Sequence, residues 1–207
     1  MSMTRAALAA DLKTSLRDAA SAFTAVADAD FLRLIDIAAG DMHRVRPLVR
    51  VAGFNFDSDA VETNAYPVPV DFVDFHSAIW GTKSDIPMWD PGYVDGYLMP
   101  HAARCAAGRV LCIAPPSMAQ RNAYGSRYSY RYFASHTLGA TDADCTVAAA
   151  DRWLLILRAQ AEACRELAFR GITKPVALRD GQSQAPANST PQAMWQSLMR
   201  EFEQAIR

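Results

Sequence analysis

The side chains that could carry chemistry are few and scattered. The histidines His43, His76, His101 and His136 are single. None forms the H-x-x-x-H or H-x-x-E spacing that sets two metal ligands on one helix face. His76, in Asp74-Phe-His-Ser, is a tempting ligand or base. Without a partner at motif spacing it reads as a strand histidine, packed or hydrogen-bonded locally. His101, Cys105 and Cys112 could approach a zinc ion, but the cysteine spacing fits no common knuckle and a second pair is missing. Asp57, Asp59 and Glu62 lack the glycine and terminal glutamate of a calcium loop and read as a solvated hairpin tip. The chain has no G-x-S-x-G elbow, no phosphate-binding G-x-x-x-x-G-K-[ST] loop and no G-x-G-x-x-G. The expectation is no catalytic residue, no metal site, no cofactor site and no enzyme.

One run has the right residues for binding. Between Arg121 and Arg131 the sequence is Arg-Asn-Ala-Tyr-Gly-Ser-Arg-Tyr-Ser-Tyr-Arg, arginines interleaved with aromatics. Tyr and Arg both stack on bases, so Arg121, Arg127 and Arg131 with the tyrosines could form a sequence-tolerant nucleic-acid platform. The competing reading is a half-exposed strand, tyrosines toward a core and arginines in water, and it is preferred.

The elements that must position these residues follow from periodicity. A helix is expected over residues 4–23 on the stripe Leu8, Leu12, Leu16, Ala19 and Phe23. A second should start after the N-cap Asp28 and run to Arg46, where Pro47 stops it. Strands are expected at residues 48–56, 72–80, 109–114 and 127–133, with residues 82–108 as a long loop between them. The longest helix should cover residues 147–170, capped by Asp142 or Asp144 and ended by Gly171, with a near-heptad seam from Ala150 to Ala168. Residues 181–189, Gly-Gln-Ser-Gln-Ala-Pro-Ala-Asn-Ser, have linker composition. Thr190-Pro191 then opens a last helix whose stripe is Trp195, Leu198, Met199, Phe202 and Ile206.

Length and composition bound the rest. The 207 residues are 51% apolar and 21% charged, with formal net charge −1, which does not suit a general nucleic-acid binder. No apolar run is long enough to span a bilayer, and charges interrupt the first residues, so export is not expected. The four cysteines are widely spaced and read as reduced thiols in a cytoplasmic setting.

Three stretches carry a resemblance. They are Asp30-Phe-Leu-Arg-Leu-Ile-Asp-Ile-Ala-Ala-Gly, running on to Val51; Tyr66-Pro-Val-Pro-Val-Asp-Phe-Val-Asp-Phe-His, running on to Gly81; and Asp151-Arg-Trp-Leu-Leu-Ile-Leu-Arg-Ala-Gln-Ala, running on to Gly171 and followed by Thr190-Pro-Gln-Ala-Met-Trp. In this order they resemble the head–tail adaptor (connector, or neck) proteins of tailed bacteriophages. The resemblance implies a structural virion subunit, made in the host cytoplasm, that forms a homo-oligomeric ring, a dodecamer matching the portal. It implies the portal protein, neighbouring copies and the tail or stopper and nozzle proteins as partners, with DNA passing through the channel unbound and no membrane. A tail completion or stopper protein of the same neck is the neighbouring alternative. The C-terminal arm of such proteins reaches toward the portal, which falls here on Trp195, Leu198, Met199, Phe202 and Ile206. Near-neutral charge suits a DNA conduit, because strong phosphate attraction would hinder passage.

The expected fold is therefore α+β. An antiparallel bundle of about four helices over residues 1–180 should carry an inserted small antiparallel β-sheet or hairpin at about 48–134. A linker at 181–189 should then tether a C-terminal helix at 190–207.

Overall fold

A computed structural model describes residues 2–82, 86–106, 108–171 and 190–206. It is α+β, with five α-helices and two three-stranded antiparallel sheets among the described residues. The chain divides into a helical unit, Met1–Arg46 with His136–Arg207, and a β unit, Pro47–Ser135. The expected linker at 181–189 lies outside the described residues.

In the helical unit α1 is Arg5–Leu16, α2 Ala29–Asp41, α4 Arg152–Gly171 and α5 Pro191–Gln204. The antiparallel four-helix bundle is not formed. Instead α1, α2 and α5 each pack on α4, and α4 is buried on most sides from Leu154 to Ala163 rather than along one seam. A helix buried nearly all round is the hub of its unit. Its buried Arg158 and Glu162 are satisfied by each other and by Asp41. The first helix is also shorter than expected, because Arg17 takes φ 50° at its C-cap and residues Arg17–Ala22 continue as a 3-10 turn. Nor is Asp28 a side-chain N-cap for α2: it sits at φ 55° and pairs with Lys13. Helix α4 starts at Arg152, after extended Ala148 and a 3-10 turn at Ala149–Asp151, not near Val147.

The β unit contains β1 Leu48–Asn55, β2 Ala65–Pro67, β3 Phe72–Ala78, β4 His101–Cys105, β5 Gly108–Cys112 and β6 Arg127–Ala134, with the short α3 Met118–Tyr124 before β6. One sheet has the order β1-β6-β3 and the other β2-β5-β4. The expected single insert is thus two sheets, and the loop placed at 82–108 contains β4 and the start of β5. The alternation of β6 puts Tyr128, Tyr130 and Tyr132 into the core and leaves Arg127 and Arg131 exposed. Phe54 stacks on Tyr66 at 4.0 Å and on Tyr128 at 5.3 Å, so β1, β2 and β6 share one aromatic cluster. Strand β3 does not alternate strictly. Register shifts between Phe72 and Asp74 and between Phe75 and Ser77 bring both phenylalanines to the core side.

Candidate functional site

The apolar stripe of the C-terminal helix is buried unevenly along its length. Thr190 caps it by accepting from the Ala193 N–H at 3.2 Å, and Pro191 fills the first turn, where no N–H is needed. Phe202 is fully buried in the helical core, with Leu198 and Ala205 packed beside it. The Arg46 guanidinium donates to the Ala205 carbonyl at 2.6 Å and to Asp151 at 2.9 Å, and Arg44 pairs with Glu203 at 3.4 Å. Trp195 and Met199 are only half-buried, while Met194 and Ile206 are exposed. Of the five expected interface residues, Phe202 is internal. Ile206 stands in water.

The basic residues lie on two elements. Arg121 lies on α3, paired with Asp57 and 5.9 Å over the Phe56 ring. Arg127 and Arg131 project from β6 on the face opposite the tyrosines. Those tyrosines cannot stack on bases from inside the core. Burial pushes the Tyr130 hydroxyl up to about 12 and raises Tyr128 further, with Tyr132 following for the same reason and through its bond to Asp71.

The remaining candidates are placed apart. His76 bonds the neighbouring Ser77 hydroxyl at 2.9 Å and meets Phe133 edge-on. His101 pairs across the hairpin with Cys112, but Cys105 pairs with Gly108 at its other end. Four residues of strand separate His101 from Cys105 by about 13 Å, too far to share an ion. Asp59 is held below the usual carboxylate range by the Ser58 hydroxyl and the Asn55 N–H, so it caps the turn after β1. Among the described residues no group of three His, Cys, Asp or Glu is placed to hold a metal. No described helix is long and apolar enough to cross a membrane.

Sequence reasoning passed over two surface features. Residues Met88 and Trp89 stand 77% and 87% exposed on a turn closed by the Asp90 N–H on the Pro87 carbonyl at 2.9 Å. In the helical unit an open groove of about 550 Å³ is lined by Asp11, Ser15, Ala149, Arg152, Trp153 and Ile156. Arg152 and Asp11 of its lining form an ion pair. Large exposed aromatics of this kind favour partner contact over catalysis.

The chain matches no protein-family model, and no curated protein is significantly similar to it.

Proposed function

We propose that the chain is a non-enzymatic head-to-tail adaptor subunit of a tailed phage virion. It forms a ring under the portal that extends the DNA channel to the tail. The observation that carries this reading is α5, whose apolar stripe is only partly spent on its own core, through Leu198 and Phe202. Met194 beside that stripe and Ile206 beyond the helix end stand exposed, and Trp195 on the stripe itself is only half-buried. Trp and Met at a partly exposed helix face are the residues that anchor protein interfaces. The order of helices, β unit and terminal helix supports it through the resemblance on residues 30–51, 66–81, 151–171 and 190–199.

Light scattering of the chain alone, and then mixed with the portal protein of the same genome, tests the reading. A large ring assembled on the portal is expected, whatever the mass of the chain alone. Replacing Trp195 and Met194 with alanine should weaken co-assembly at least tenfold, with the chain still folded by far-ultraviolet circular dichroism. Deleting the whole helix is a poor test, because it also removes buried Phe202. A chain that stays clear of the portal at every concentration overturns the adaptor reading. Wild-type co-assembly by the double variant overturns the role given to α5.

A further inference from the structure

The two edges of the sheet β1-β6-β3 are treated differently. Along β3, the Arg109 guanidinium from β5 donates to the carbonyls of Phe72 at 2.7 Å and Val73 at 2.9 Å. A strand arriving there would have to displace charge-assisted bonds. Along β1, the main chain from Val49 to Phe54 has, among the described residues, no hydrogen-bonding neighbour other than β6. An edge strand leaves about half of its N–H and C=O groups facing outward, ready for another strand.

Edges are normally blunted by lysine, proline or a bulge. Strand β1 has none of these over Leu48–Asn55, and its register with β6 runs without a shift. Its one charge, Arg50, is already bound to Asp71 at 2.6 Å. What remains outside is Val49, 42% exposed, and Val51, 65% exposed.

We propose that β1 is a self-association strand, pairing antiparallel with β1 of a second copy about a two-fold axis through Val51. That register sets Val49 against Gly53, Arg50 against Ala52 and Val51 against its own mate. No like charges oppose each other, and the glycine leaves room beside Val49. A second copy fits better than a foreign acidic strand, since Arg50 is neutralised within its own sheet and offers no charge to recognise. It also fits better than β1 on β3 of a neighbour, where Arg109 stands in the way. The result is a continuous six-stranded sheet in a closed, isologous dimer. This contact does not depend on the adaptor reading: a ring needs two different faces per subunit, whereas β1 meets itself.

The test uses the full chain without portal. Light scattering should give a mass of two chains, each 22.7 kDa. Val51→Lys, which opposes two lysines across the axis, should give monomer at the same concentration, with far-ultraviolet circular dichroism unchanged. Val51→Glu should do the same, and an equimolar mixture of the two variants should restore the dimer. Amide exchange should show residues 49–53 protected in the wild type and open in either variant. A monomeric wild type, an undiminished dimer in Val51→Lys, or a mixture that stays monomeric overturns the proposal. None of these results bears on whether the chain docks on a portal, so the two readings fail separately.

Discussion

Burial holds the hydroxyls of Tyr128, Tyr130 and Tyr132 in their neutral form, and that has a consequence for stability. A tyrosine in the unfolded chain ionises near pH 10. In the folded chain the value is higher, about 12 for Tyr130. The fold therefore favours the proton-bound state, and this contribution is complete below about pH 10 and lost as pH rises through the folded value. The β unit is expected to unfold between about pH 10 and 12, with tyrosinate absorbance appearing together with loss of near-ultraviolet circular dichroism. Tyr130→Phe removes one ionising group from the core and should move that midpoint upward. Tyrosinate absorbance rising well before the dichroism falls would mean that these rings are not enclosed as described. The same residues argue against base stacking on this strand: the alternation that suggested a stacking platform turns Tyr128, Tyr130 and Tyr132 inward.

At the scale of elements, α5 shows how a short segment divides between buried and exposed apolar residues. Phe202→Ala should cost about 3–5 kcal/mol, as for a large aromatic removed from a packed interior, read from urea unfolding. Trp195→Ala, at a half-buried position, should cost less than about half of that. Equal losses would mean that Trp195 is as deeply packed as Phe202. The start of this helix was legible because Thr190-Pro191 is local chemistry: a hydroxyl for orphan N–H groups and a ring that needs none. Helix α3 was not expected: Ser117 and Gln120 cap each other's backbone, but seven residues between strands are too few to show a helical period. Other boundaries had no such local signal. Arg17, Ala27 and Asp28 adopt positive φ although none is glycine, so the breaks on either side of residues 17–28 come from tertiary packing overriding preference. Strand pairing was the least readable. Strand β6 joins β1 and β3 across more than fifty residues, and no local pattern encodes which edge is capped by Arg109.

For the whole molecule, the division into two units makes a prediction about folding. The β unit begins and ends on neighbouring strands, with Leu48 opposite Ala134 in the β1–β6 register. Its core is its own: Phe54, Phe72, Trp80, Leu111 and the β6 tyrosines pack together as one cluster. The helical unit has a separate core running from Leu8 and Phe31 to Leu155 and Phe202. Its two chain ends at the excision point are already joined, since the His136 ring bonds the Arg46 carbonyl at 2.7 Å. A domain boundary where few contacts cross and the ends lie close is where excision is tolerated. The fragment Pro47–Ser135 is therefore expected to fold alone, with near-ultraviolet dichroism of packed aromatics and one cooperative urea transition. Its open edge should make Val51→Lys the better-behaved form, because an unblunted strand in a small domain invites association. Conversely, a chain with residues 47–135 replaced by a short Gly-Ser link should keep its helical dichroism. If the fragment gave a broad, non-cooperative transition even with Val51→Lys, the aromatic cluster would be too small to stand without the helices. The two units would then be one folding domain, and the insertion boundary at Arg46 and His136 would describe geometry only.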